Sequence, residues 1–168
     1  MGIPQYNQIG TGNNLDQLIP GTKRVKECVT ATLSASDSGT IYVVGNGSDA
    51  TITLPACSEA LIGTTYKWVW SGAETDAITI NSGDATDTTG DVFVGALLVH
   101  GAAAVNTLVA AGANISRMLL DDNVANTGGG AGTIVEITCV SATQWFVTGM
   151  VEGNSDADTD GSAIFVNA

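Results

Sequence analysis

From residue 25 onward, apolar and polar positions alternate in short runs, and turn residues cut each run after a few positions. Residues 25–33 alternate. Residues 40–44 are mostly β-branched and aromatic and stop at Gly45-Asn46-Gly47. Residues 51–54 follow and end at Pro55. Residues 65–70 alternate cleanly, with Tyr66, Trp68 and Trp70 on one face and Thr65, Lys67 and Val69 on the other. Residues 77–80 form a short run. Residues 92–99 are apolar throughout, a pattern that predicts burial on both faces. Residues 133–140 and 144–151 flank Ser141-Ala142-Thr143, a hairpin signature. Residues 162–166 make a last short strand, and residues 58–62 a single helical turn. No long helical period exists, and there is no convincing internal repeat. Strand-sized runs separated by Gly, Asn and Asp predict an all-β fold, a single β-sandwich or barrel-like domain.

Residues 1–24 follow no such pattern. They are rich in Gly, Asn and Gln, with isolated apolar positions at Ile3, Tyr6, Ile9, Leu15, Leu18 and Ile19, and Pro4 and Pro20 oppose regular structure. The division is therefore an extended N-terminal arm over residues 1–24 and an all-β body over residues 25–168. An arm of this composition orders most easily by lying against a partner.

Charge sharpens the division. Residues 1–26 carry Lys23, Arg24 and Lys26 against Asp16, a net of +2, whereas residues 27–168 carry 16 acidic residues against Lys67 and Arg117, a net of −14. A slightly basic arm thus precedes a strongly acidic body. Phosphate binding needs a basic surface, so nucleic acid is excluded as a partner, and anionic membranes are repelled. Only 13% of residues are charged, against roughly 25% in ordinary soluble domains, so Thr, Ser, Asn and Gly must make the solvent face. No basic segment followed by an apolar run opens the chain, and no signal peptide is expected. The most apolar window, residues 92–111, is broken by Gly95, His100, Gly101, Asn106 and Thr107, which reads as core strands and a turn rather than a membrane span.

Candidate chemistry is sparse. Cys28, Cys57 and Cys139 are odd in number and widely spaced, which predicts free thiols of a protein folded in a reducing compartment. Asp156, Asp158 and Asp160, followed by Gly161, match the first half of a calcium loop, but the twelfth position is Asn167, and an acidic turn is the alternative. His100 is the only histidine and sits in an apolar run, where a hydrogen-bonded core or interface role fits better than a triad. Asp121 and Asp122 are adjacent and would point to opposite faces of a strand. Trp68, Trp70, Trp145 and Tyr66 could stack on a sugar, but their alternate spacing favours a core. The glycines at 128, 129, 130 and 132 lack the following helix and lysine of a phosphate cradle and read as a flexible hairpin loop. No enzyme, cofactor or metal site is expected.

Several stretches form a larger pattern. Leu33-Ser34-Ala35-Ser36-Asp37-Ser38-Gly39 leads into residues 40–44; Ile52-Thr53-Leu54-Pro55-Ala56, Gly63 and Tyr66-Lys67-Trp68-Val69-Trp70 follow; then come Ala77-Ile78-Thr79-Ile80 and Gln144-Trp145-Phe146-Val147-Thr148-Gly149. The pattern resembles tailed-phage virion proteins, in particular the small head decoration (cement) proteins, over about residues 33–80 and 133–150. The resemblance implies a non-enzymatic protein, made in the host cytoplasm, that binds the major capsid protein on the capsid exterior and stabilises the shell as a homo-oligomer, a trimer above all. The arm then supplies attachment through Ile3, Tyr6, Ile9, Leu15, Leu18, Lys23, Arg24 and Lys26. Two alternatives accompany this expectation: a phage fibre or receptor-binding module that meets host glycan through its aromatic residues, and a secreted calcium-dependent adhesin built on Asp156, Asp158 and Asp160.

Overall fold

Among the described residues the sequence forms twelve strands: β1 Val25–Glu27, β2 Ala31–Thr32, β3 Ile41–Val44, β4 Ala50–Thr53, β5 Thr65–Trp70, β6 Ile78–Asn81, β7 Val92–His100, β8 Asn106–Ala110, β9 Arg117–Leu120, β10 Ile134–Ser141, β11 Gln144–Glu152 and β12 Phe165–Val166. They are seen in a computed structural model that describes residues 25–45, 49–72, 77–83, 90–101, 106–121, 127–153 and 163–166. The strands form two sheets, one of seven strands in the order β1-β3-β5-β10-β11-β7-β8 and one of five in the order β12-β9-β6-β4-β2. Short 3-10 turns at Ala35–Asp37 and Glu59–Leu61 are the helical pieces among the described residues, the second falling where residues 58–62 predict one turn.

The first six strands alternate between the sheets. β1, β3 and β5 run parallel in the larger sheet, and β2, β4 and β6 run parallel in the smaller one. The chain therefore winds as a two-sided parallel coil before the β10–β11 hairpin joins the open side of β5. Residues 25–33 are not the single strand that their alternation suggests. After β1 the Cys28 N–H still donates to the Val43 carbonyl (2.8 Å), but Leu33 N–H donates to Thr53 across on the other sheet (2.8 Å). The run is long enough to change sheets, and each half finds its own parallel neighbour.

Between the sheets lies one core. Tyr66, Trp68 and Trp70 point inward from β5, exactly one face of the alternating run, and meet Trp145, Phe93, Ile80, Met118 and Leu120. Tyr42 stacks on Trp68 with ring centroids 5.5 Å apart. Such stacked or tilted pairs add about 0.5–1.5 kcal/mol beyond the area that they bury. The expectation for residues 92–99 needs correction. Phe93, Leu97 and Val99 are buried, but Leu98 is 40% exposed, because nothing among the described residues covers the outer face of the larger sheet. The glycine segment also differs from the flexible loop expected of it. Gly128, Gly129 and Gly130 are buried, and the N–H groups of Gly129 and Gly130 both donate to the Glu152 carbonyl (3.0 and 2.9 Å). A Cβ on Gly128 would come within 2.5 Å of Val151 Cγ1, so glycine is needed there for close approach to β11.

One polar clasp fixes the start of the coil. Asp37 accepts from the Ser34 N–H (3.1 Å) and hydroxyl (2.8 Å) with one oxygen and from Lys26 Nζ (2.8 Å) with the other. The Tyr66 hydroxyl donates to the Ser34 carbonyl (2.7 Å), which ties this turn to the core. The Lys26 hydrogen bond, helped by Ser34, holds the Asp37 carboxyl below its ordinary 3.8. A depressed carboxylate stabilises the fold above its ordinary value, and the contribution is lost as pH falls through its lower folded value. Asp37→Asn is expected to cost about 1–2 kcal/mol at pH 7, an exposed-site figure. The difference from wild type should shrink as pH falls below 3.8; urea denaturation at pH 7 and pH 3 measures both, and an equal cost at the two values would contradict the charged clasp.

Candidate functional site

Three polar clusters among the described residues join neighbouring strands and hold the titratable candidates. The first lies at one end of the sandwich. Asp91, just ahead of β7, is buried; its carboxylate accepts the Cys57 N–H, and its main-chain carbonyl accepts the Ser82 hydroxyl (2.7 Å). It thereby ties the segments after β4 and β6 to the start of β7. Burial, and next the charge of Asp91, pushes the Cys57 thiol up, with Cys139 beside it adding to the effect. Cys139 donates its thiol hydrogen to the Ser141 carbonyl (3.3 Å). Held protonated by burial and the neighbouring Asp91 charge, the Cys57 thiol is a poor nucleophile. All three cysteines are free thiols. Iodoacetamide at pH 8 should therefore modify Cys57 in the native protein at least about tenfold more slowly than in denatured protein. Equal rates, followed by peptide mass mapping, would contradict the raised thiol.

The second cluster joins the ends of β7 and β11. His100 Nδ1 lies 2.9 Å from Glu152 Oε2, and both side chains are partly exposed. The Glu152 N–H donates to Thr133 Oγ1 (2.9 Å), and its carbonyl receives the two glycine N–H groups described above. His100 is thus hydrogen-bonded, as expected, but it sits at a sheet corner and not in the core. Its partners pin the glycine turn to β11, which is a structural use of the pair. The third cluster is the Lys26–Asp37–Ser34 clasp, in which Lys26 serves the body of its own chain. Among the described residues, no group of three or more His, Cys, Asp and Glu side chains is placed to share a metal ion.

The aromatic positions resolve in favour of a core. Trp68, Trp145 and Tyr66 are fully buried and Trp70 nearly so, and none offers a ring face to solvent. A glycan platform on these four residues is overturned by that burial. Asp121 takes part in a bridge to Gly128, and its carbonyl accepts the Thr127 hydroxyl; Asp122 lies outside the described residues. The calcium candidates Asp156, Asp158 and Asp160 also lie outside them, as do the arm positions Ile3, Tyr6, Ile9, Leu15, Leu18, Lys23 and Arg24. The described residues begin with β1, an edge strand of the larger sheet.

The run over residues 92–99, which with the small residues 101–104 and the low surface charge also suggests a subunit interface, belongs to a wider exposed apolar surface that the sequence did not delimit. Leu98, Leu108, Val140, Phe146 and Met150 are exposed large hydrophobic residues on β7, β8, β10 and β11. Their signal was present as the outward parity of alternating strands, but an apolar residue at an outward position cannot be told from a core residue until the strand's facing is known. Comparison of the chain with protein-family models, curated proteins and solved structures gives no match.

Proposed function

We propose that this protein is a non-enzymatic component of a phage virion that decorates the outer surface of the capsid and stabilises it, attached through its N-terminal arm. The observation that carries this reading is the contrast across the margin of the larger sheet. Residues 1–26, net +2 with spaced apolar anchors, run through the start of edge strand β1, and the residues that follow carry net −14. A capsid presenting carboxylates and shallow grooves suits such an arm, while the acidic sandwich faces solvent and keeps particles dispersed. The three polar clusters of the body work as clasps between strands, and the aromatic residues are spent on the core, so attachment falls to the arm. Copies joined in a homo-oligomer would attach several arms at once, and multivalency can raise weak single contacts by about 10²–10⁴-fold in overall affinity.

The test is addition of purified protein to expanded phage capsid shells that lack it, followed by cosedimentation. Saturable, stoichiometric binding with raised shell stability is the expected result. Absence of binding at micromolar protein would overturn the reading.

A further inference from the structure

The outer face of the seven-stranded sheet carries a row of apolar side chains that crosses six strands. Register places Leu108 beside Leu98, Leu98 beside Met150, Met150 beside Ile134, Ile134 beside Val69 and Val69 beside Val43. Exposure is highest at the β8 end, with Leu108 at 70%, Leu98 at 40% and Met150 at 38%. Phe146, also outward on β11 and two same-face positions from Met150, is 42% exposed. Monomeric soluble proteins scatter exposed apolar residues singly; a contiguous stripe marks a contact surface.

We infer that this face, centred on Leu98, Leu108 and Met150, is where a second copy of this chain packs, sheet face against sheet face.

Two observations name the occupant. The first is charge. Of the 16 carboxylates in residues 27–168, the outward positions of the larger sheet hold only Glu27, Glu136 and Glu152. Glu136 stands in register with Lys67, and Glu152 with His100, to which it is hydrogen-bonded. The face thus carries few charges for so acidic a body, so two copies can meet there with little like-charge repulsion, whereas a basic partner would be drawn to the acidic remainder of the body. The second is area. Strands β8, β7, β11 and β10 offer roughly 20 Å by 30 Å in projection, about 600 Å² before side-chain relief is added. A standard interface buries about 800 Å² on each partner, so two such faces are within reach of it. The surface is made of rigid strands and needs no rearrangement to pack, in the manner of the stacked layers of sandwiches.

The contact deepens the oligomeric part of the proposed function and is separate from capsid attachment, which belongs to the arm, so the two can fail independently. The full chain is studied by sedimentation velocity from 1 to 100 μM, alone and as Leu98→Asp/Leu108→Asp, with Thr51→Asp on the exposed face of the smaller sheet as control. Both leucines are substantially exposed, so the double variant should keep the wild-type circular dichroism and melting temperature. Wild type and the control should associate, and the double variant should associate at least about a hundredfold more weakly, since each dimer would then bury unpaired carboxylates. A second reading is amide exchange: protection in β8 should rise with wild-type concentration. A wild-type monomer at every concentration, or a double variant that assembles as wild type does, overturns the inference. So does a double variant that assembles normally but no longer binds capsid shells, which would assign the face to the capsid. Concentration-independent protection of β8 that disappears on deletion of residues 1–24 also overturns it, by giving the face to the chain's own arm.

Discussion

Gly95→Val should leave the chain without a stable fold. Gly95 sits in the middle of β7 at φ +110, a backbone conformation that L side chains rarely adopt. It pairs in parallel register with Val147 of β11. A Cβ built there would lie 2.2 Å from the Val147 carbonyl oxygen, which is backbone and cannot swing away. Two penalties therefore coincide. Left-side φ for a residue with a Cβ costs about 1–3 kcal/mol. Relief of the overlap requires β7 to separate from β11, which would open the sheet between the hairpin and its β7–β8 end and expose Phe93, Leu97 and Val99. Burial of each such side chain is worth roughly 1.5–3 kcal/mol. Against a total stability of about 5–15 kcal/mol, the sum is large enough to remove the native state. Gly95→Ala tests the same point more gently, with an expected loss of about 3 kcal/mol or more in urea denaturation. Ala96→Val is the control: its side chain points outward from the next position and should cost less than about 1 kcal/mol. A Gly95→Ala protein within 1 kcal/mol of wild type would contradict the β7–β11 register.

The same glycine shows what was legible in the sequence. The strand over residues 92–99 was readable from its apolar run, but the need for Gly95 arises from β11, some fifty residues away in the chain, and no local pattern encodes it. Residues 65–70 were fully legible because strict alternation fixes both the strand and its inward face, and the three aromatic side chains do lie in the core. The hairpin at residues 141–144 was legible because its pairing is local. β9 was missed: Arg117–Leu120 is a short run with three consecutive apolar residues and no alternation, and it becomes a strand by pairing with β6 and β12. The parallel coil of β1 to β6 was invisible for a related reason. Parallel neighbours are always separated by a crossover, so their pairing is a property of the whole chain. Of the candidate capsid-binding residues, Lys26 is the one with a described position, and its clasp with Asp37 could not be read from a spacing of eleven residues.

Deleting residues 1–24 should leave a folded body that associates as before but no longer binds capsid shells. The fold should survive because the core is assembled from residues 33–165 and because β1, with its Lys26–Asp37 clasp, is retained. Binding should fail because the remaining residues 25–168 carry 16 acidic residues against Lys26, Lys67 and Arg117, a net of −13, and an acidic shell surface would repel them. Within the arm, two kinds of group contribute unequally. Exposed pairs between Lys23 or Arg24 and capsid carboxylates are worth about 0–1 kcal/mol each and are screened by salt. Ile3, Tyr6 and Ile9, if seated in grooves, contribute roughly 1.5–3 kcal/mol for each side chain fully buried. Replacing those three with Ser should therefore weaken capsid binding by about three orders of magnitude or more for each arm engaged, whereas Lys23→Glu with Arg24→Glu should weaken it by roughly tenfold to a hundredfold, and less at high salt. Cosedimentation of the three variants with expanded shells at low and high salt separates the terms. Full binding by the truncated protein would move attachment from the arm to the exposed surfaces of the sandwich, and a larger loss from the charge reversals than from the serine variant would make charge, not burial, the source of affinity.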